Sequence, residues 1–496
     1  MLKKLWQWIV KNEGLVLLLL VVIILRIPSL YEPYWYGDEG IYLVLGQGLR
    51  KGLVFYRDIH DNKPPLLYLL AALAGNVFYF RLLLMVWFGA ATALFFRLMQ
   101  ILLPKNRKAW YVSSLAMIWL TTMNEGNIAN AEVFIVLPVV WGMLLSLKKV
   151  KEKAKEKSWQ KWLGVGLVFS MGFLLKVPAG FDFLAVIIWL VVWEMGLKDK
   201  RVWGLGLGFL TPILISMGYY AVVGGLEPYV RSALLQNIGY LASWQTGEHA
   251  GGIAGQSGLM IRGGMLVGLL IGFYYLAKKY KWSSGVKLMV VWFLMALFGT
   301  LLSERPYPHY LIQLVVPGAI LLSYGLFEKK KALKLMVVGL GLLTGLACWQ
   351  VKFWHYPVLP YYRNFIEYAV RKKSLEDYRA YFDWRVNQTY KLAEYLRRKT
   401  RPDDRVFIWG NEPYVYALAE RLPIGRYTVT YHVVDFNGYE ETIEAWDKHK
   451  PKVVMVMEYE ENEFMEMESR LATDYVLIEK IDQALVYRRV DGVRVE

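Results

Sequence analysis

The sequence predicts a polytopic α-helical membrane protein that ends in a small α/β domain, and three observations carry that expectation. Of the 496 residues, 56% are hydrophobic, against roughly 45–50% in an average soluble domain. The apolar residues fall in blocks of roughly 15–22, long enough to cross a hydrocarbon core about 30 Å thick. The last 120 or so residues (roughly) lack such blocks and alternate short β-rich runs with helical stretches.

The blocks lie near 12–28, 82–103, 109–123, 131–147, 161–175, 181–197, 202–223, 259–277, 287–302, 309–327 and 335–350, about eleven spans by length. Lys3, Lys4 and Lys11 precede the first apolar run, Leu15 to Leu25, as in a signal peptide. No small-residue cleavage site follows, so a retained first span is expected. Residues 65–80 are bounded by Pro64-Pro65 and interrupted at Gly75-Asn76. Their apolar stretch reaches only about 16 Å as a helix, so a juxtamembrane or re-entrant helix is expected there.

With that placement the basic loops alternate. Lys105/Arg107/Lys108, the Lys148–Lys161 run, Lys198/Lys200/Arg201, Lys278/Lys279/Lys281/Lys287 and Lys329–Lys334 share the side of the N-terminus, the cytoplasmic side by the positive-inside rule. Asp38, Glu39, Asp58, Asp61, Glu125, Glu132, Asp182, Glu227, Glu304 and the C-terminal domain gather on the other. A multi-pass protein of the plasma membrane is expected, with its C-terminal domain extracytoplasmic. The net charge of +16 is then a property of cytoplasmic loops, and nucleic acid is not an expected partner. Cys348 is the single cysteine, which excludes an intrachain disulfide and a Cys–His metal cluster.

The expected domains are a membrane domain over 1–350 with a first outer loop at 29–80, an aromatic and basic interfacial linker over 351–375 containing Trp354, His355, Tyr356, Tyr361, Tyr362 and Tyr368, and the α/β domain over 376–496. In that last domain 383–399, 412–420 and 440–449 read as helices. Val406–Trp409, Val453–Met457, Tyr475–Ile478 and Ala484–Tyr487 read as strands.

The first outer loop is the most informative stretch. Asp38 and Glu39 stand as an adjacent acidic pair at the start of a short helix, with Tyr42, Gly46 and Leu49 at helical spacing. Both are catalytic candidates; capping or hydrogen bonding is the plainer role for Glu39. Lys63 precedes Pro64-Pro65, where an interfacial cation suits a lipid phosphate or merely snorkels. Asp58 and Asp61 are candidates for orienting substrate, although Asp61 has Lys63 and Arg57 as alternative partners. Glu132 enters the start of a span, where an ionisable group is costly, and is a third orienting candidate. In SERPYPHY, 303–310, Arg305, Tyr307 and His309 suit a phosphate leaving group. His309 with His60 or His355 has no metal-ligand spacing; a divalent metal is possible but not indicated.

At these residues the chain resembles the GT-C glycosyltransferases, in the branch with the protein O-mannosyltransferases and the lipid A aminoarabinose transferases. The matching segments are YGDEG (36–40), KPPLLYLLAAL (63–73), NAEVFIVLP (130–138), RPYPHYLIQLVVP (305–317) and, in the soluble tail, DDRVFIWGNEPYVYALAERLPIGRY (403–427). The resemblance implies a GT-C-like membrane domain, a polyprenyl-phosphate-linked sugar donor, an inverting displacement and a catalytic Asp in the first outer loop, here Asp38. Lys63, Arg305, His309 and Tyr307 would hold the donor phosphate, and Asp58, Asp61 and Glu132 would orient hydroxyls. No cofactor is required by that scheme. The acceptor would be a lipid, a glycan or a protein, with membrane lipids as surroundings. An acidic residue precedes the Lys-Pro-Pro lysine in the aminoarabinose transferases; here it is Asn62, which removes support for a metal-binding or aminoarabinose-specific role. A lipid-linked-sugar flippase or transporter without transferase activity is the alternative from another class. Its usual sign, repeated halves with broken helices, is not seen. A ligase or polymerase using a diphosphate-linked donor is the alternative among enzymes.

Overall fold

The computed structural model describes residues 10, 12–151, 158–236, 253–303 and 305–490. Lys3, Lys4, Lys11, the centre of the Lys148–Lys161 run and Glu304 lie outside the described residues.

The expected apolar blocks are all helical. Among the described residues seven helices are long and apolar enough to cross a membrane: Glu13–Tyr31, Val77–Leu102, Ala131–Val150, Lys200–Val222, Gly258–Lys279, Pro308–Phe327 and Lys331–Val351. The apolar Ser284–Thr300 is shorter. Arg107–Met123, Ser158–Leu175 and Ala179–Trp189, the last continued by a π-turn over Leu190–Glu194, account for the remaining blocks. Gly258–Lys279 and Lys331–Val351 bury only 6% and 11% of their most apolar windows. A helix that is apolar all round and left uncovered is suited to lipid rather than water. This is a polytopic helical membrane fold.

The expected helix over 65–80 divides in two. Leu66–Ala74 is a nine-residue helix, about 14 Å long and too short to span. Gly75 stops it at φ +79°, and its N–H donates to the Ala71 carbonyl at 2.9 Å. A left-handed C-terminal residue favours glycine. Asn76 then caps the next helix, its Oδ1 accepting from the Tyr79 N–H at 3.0 Å. The span expected to begin at 82 therefore begins at Val77 and runs through Arg81, which is buried.

The chain packs as two units. The membrane unit comprises Met1–Ile27, Arg81–Tyr219 and Leu234–Val358. In it Ser158–Leu175 packs on Ala131–Lys151, and Ser284–Thr300 on Ala179–Trp189 and Ile312–Phe327. Trp162, Trp189 and Trp292 are its largest fully buried side chains. Van der Waals packing holds such helices, since lipid tails offer no hydrophobic drive.

The second unit comprises Pro28–Phe80, Tyr220–Ala233 and Leu359–Glu496. Its C-terminal part is a five-stranded mixed sheet in the order β2-β1-β3-β5-β4, with β1 Arg405–Trp409, β2 Leu422–Pro423, β3 Val453–Met457, β4 Tyr475–Ile481 and β5 Ala484–Arg489. β1 pairs parallel with β2 and β3; β5 runs antiparallel to β3 and β4. Helices Arg385–Lys399, Pro413–Ala419 and Tyr439–His449 match expectation to within a few residues. Phe407, Trp409, Val454, Trp446 and Phe464 form its core. The helix Gly37–Arg50, from the first loop, packs on Leu66–Ala74 and on Pro413–Ala419. Thus the first loop packs with the α/β fold in one unit.

Candidate active site

Asp38 lies in the first turn of the helix Gly37–Arg50. The helix has no side-chain cap at Tyr36, so carboxylates in this turn meet the positive end of the backbone dipole. One turn on, the Tyr42 hydroxyl donates to Asp38 Oδ2 at 2.8 Å. Lys63 Nζ stands 3.5 Å from the same oxygen and 3.9 Å from Asp61 Oδ2, and 5.0 Å from the centre of the Tyr42 ring. Two carboxylates therefore share one ammonium. Asp38 is 34% exposed, Lys63 17% and Asp61 3%: Asp61 is walled in, and Asp38 opens outward.

The loop carrying Lys63 is held at several points. Tyr68 donates to Asp61 Oδ2 at 2.7 Å, and the Asn62 N–H donates to Asp61 Oδ1 at 2.7 Å. Tyr56 donates to the Lys63 carbonyl at 2.8 Å. Tyr56 is a fully buried aromatic residue at φ +71°, a conformation side chains adopt only when their surroundings impose it. Burial, with the Asp61 carboxylate nearby, pushes the phenols of Tyr56 and Tyr68 well above their usual value; both stay hydroxyls and can donate. Gly46 lets the two helices of the loop touch, since a Cβ there would sit 2.6 Å from the Ala72 backbone nitrogen.

Glu39 is fully buried, with the Tyr414 hydroxyl of the α/β domain 3.3 Å from its Oε2. Asp58 lies apart from the Lys63 group. It accepts from the Val54 N–H at 2.8 Å and from Arg57 at 2.7 and 2.9 Å. Arg57 holds its carboxyl below the usual range.

The membrane unit contains a second cluster. Glu132, in the first turn of Ala131–Lys151, pairs with Lys176, which directly follows Ser158–Leu175. His309, in the short 3-10 turn Pro308–Leu311, places Nδ1 2.7 Å from Glu125 Oε2 and Nε2 3.7 Å from Glu132 Oε1. Tyr307 stacks on His309 at 5.5 Å. The Lys176 ammonium lies 4.2 Å from the Tyr310 ring centre. Arg305 is half-buried, with its N–H 3.5 Å from Ser303 Oγ. A cavity of about 470 Å³ opens beside the cluster, lined by Glu132, Lys176, Tyr310 and Gln313 and by apolar residues including Phe181, Leu259 and Phe298. Behind its wall Gln313 donates to Asp182 Oδ2 at 2.8 Å and Trp292 donates to Asp182 Oδ1 at 2.5 Å, which compensates that buried carboxylate.

The structure thus joins Asp38 with Lys63 and Asp61, and His309 with Glu132 and Tyr307; it sets Asp58 aside in its own turn. Sequence reasoning missed Lys176, Tyr68 and Tyr414. Lys176 carried one usable signal, a lone cation in a loop of the acidic side, against the charge bias. Among the described residues no group of three or more His, Cys, Asp or Glu side chains is arranged to hold a metal. His309 has carboxylate partners; His60 lies near Ser232 and His432.

The sequence matches no protein-family model and no curated protein. Solved structures do match along the whole chain. ArnT from Cupriavidus metallidurans bound to undecaprenyl phosphate superposes with a TM-score of 0.61 at 13% identity, covering 96% of this chain and 98% of that one. The apo form of the same protein gives 0.57 at 13% identity, over 97% and 98%. ArnT is a GT-C aminoarabinose transferase, and at this identity the likeness speaks for architecture. The chain has the GT-C fold, a polytopic helical membrane domain with a C-terminal α/β domain, from end to end.

Proposed function

We propose that the protein is an inverting glycosyltransferase. It moves a sugar from a polyprenyl-phosphate-linked donor to an acceptor hydroxyl of a lipid, glycan or protein at the outer face of the plasma membrane. The N-terminus is cytoplasmic and the α/β domain extracytoplasmic. One observation carries the reading: a partly exposed carboxylate, Asp38, in the first turn of one short helix, rests 3.5 Å from an ammonium, Lys63, in the loop that leads into another. The fold supports it, because ArnT, which shares it, is seen with undecaprenyl phosphate.

Asp38 is the general base and Lys63 the phosphate contact. At 3.5 Å their pairing is longer than a tight charged hydrogen bond, so an incoming phosphate can take over the ammonium and leave Asp38 available for a proton. The acceptor oxygen then bonds to the anomeric carbon as its proton passes to Asp38. The bond from that carbon to the phosphate oxygen breaks on the opposite face, which inverts the centre. The electron pair leaves on polyprenyl phosphate, whose added charge Lys63 stabilises. Asp61, clamped by Tyr68, holds Lys63 in place; Glu39 is buried and supports the helix. No step requires a metal.

Asp38→Asn keeps shape and removes the proton acceptor. It is expected to lower kcat by about a thousandfold, within the usual range for general-base catalysis, with normal insertion and abundance. Donor-dependent release of polyprenyl phosphate is the readout, because a flippase yields none. Near-normal turnover in that variant would remove Asp38 from the reaction.

A further inference from the structure

The α/β domain reaches both halves of the Asp38–Lys63 pair. On the Asp38 side, the turn Gly410–Glu412 leads into the helix Pro413–Ala419. Its first residues press on the start of Gly37–Arg50: a Cβ at Gly40 would lie 2.9 Å from Pro413 and 3.1 Å from the Tyr414 ring. The Tyr414 hydroxyl donates to the Tyr36 carbonyl and lies 3.3 Å from Glu39 Oε2. Tyr36 and Glu39 flank Asp38 in the chain, so this one hydroxyl fixes the turn that aims the carboxylate.

On the Lys63 side, the His60 N–H donates to the Arg426 carbonyl at 2.9 Å. The His60 ring packs edge-on against Tyr427, His432 and Phe436 at 5.6, 5.7 and 4.8 Å. His432 lies in Thr430–Asp435 and is 4% exposed. Asp61, Lys63 and Asp38 are the charged groups that act on it; Arg426 and Arg231 act on His60. His432 Nδ1 and His60 Nε2 are buried without a hydrogen-bond partner among the described residues. Buried ring nitrogens rarely stay so; a water held by the two imidazoles would satisfy both.

We infer that the α/β domain is part of the reaction centre itself, with Tyr414 and His432 as positioning residues that hold Asp38 and Lys63 in register. The inference rests on the glycosyl-transfer reading above and adds what the soluble domain does for it. Tyr414 acts through the Asp38 turn and His432 through the His60–Lys63 loop, so removing each should disturb a different kinetic constant.

The test uses the full chain with Tyr414→Phe, His432→Phe and Asp38→Asn side by side. Tyr414→Phe keeps the ring against Gly40 and is expected to lower kcat about tenfold at unchanged donor KM, the size of one lost hydrogen bond. His432→Phe keeps the aromatic packing and is expected to raise donor KM about tenfold with a smaller change in kcat; His432→Gln should recover part of that rise. Thermal unfolding in detergent is followed for each variant. Wild-type constants in both Tyr414→Phe and His432→Phe, with Asp38→Asn inactive, would overturn this inference and leave the reaction reading standing. An active Asp38→Asn would overturn the reading beneath it. Losses of activity that merely track loss of folded protein, with KM and kcat of the folded fraction unchanged, also overturn the inference.

Discussion

The Asp38–Lys63 pair and the Glu132–Lys176 pair are each a carboxylate and a lysine, and they are built in opposite ways. Asp38 is 34% exposed and stands 3.5 Å from its lysine, which also serves Asp61. Glu132 is 5% exposed, in direct contact with Lys176, and faces His309 on another side. A loose, half-open pair can change partners when an anion arrives. A closed pair compensates charge in a low-dielectric setting and resists change. The histidines follow the same division: His309 sits against two carboxylates, whereas His432 is enclosed by aromatic rings.

The sharpest way to break this contrast is to remove one lysine from each cluster. Lys176→Ala leaves a buried carboxylate without its cation and is expected to cost about 3–5 kcal/mol of stability, read as a marked fall in unfolding temperature of the purified protein. A stability within 1 kcal/mol (roughly) of wild type would mean the membrane cluster is not structural.

Acid should separate the histidines next. Burial holds the His432 imidazole at about 4, against about 6.5 in an unfolded chain. Between those values only the unfolded state takes up the proton. Stability is therefore highest above pH 6.5, falls as pH drops towards 4, and loses about 3 kcal/mol from this group before levelling off. His432→Phe should flatten that slope in a pH series of denaturant unfolding; an unchanged slope would assign it elsewhere.

Lys63→Ala is expected to act on function, raising donor KM between about ten- and a hundredfold, with a smaller fall in unfolding temperature than Lys176→Ala because Asp61 keeps its bonds from Tyr68 and the Asn62 N–H. An unaltered donor response would end its role as the phosphate contact. Asp58→Asn marks the lower bound. Asp58 and Arg57 are 29% and 46% exposed, so solvent screens their pair, and kcat should change less than about threefold. A larger loss would return Asp58 to the reaction centre.

Much of the fold was legible because its signals are local. Span-length apolar blocks and period-two runs identify their elements without a partner. The boundary at Val77 was not legible, since Arg81 reads as an edge and the fold buries it. Thr430–Asp435 was missed because Thr-Tyr-His-Val-Val favours extended chain, whereas in the fold it is a helix whose Val433 is buried in the α/β core. β2, two residues long, has no pattern to read. In the site, Asp38 and Lys63 stood out by spacing and setting. Tyr414 and His432 lie some 350 residues or more along the chain from their partners, and an ordinary tyrosine or histidine in a soluble stretch announces no such distant contact.

Gly46 gathers these relations into one point. With its Cβ position 2.6 Å from the Ala72 nitrogen, the two short helices meet backbone to backbone, one carrying Asp38 in its first turn and the other starting three residues after Lys63. A single methyl there would act as a wedge, prying acid from ammonium without touching either. The spacing of the proposed base and phosphate contact is therefore set by the absence of a side chain eight residues from the base.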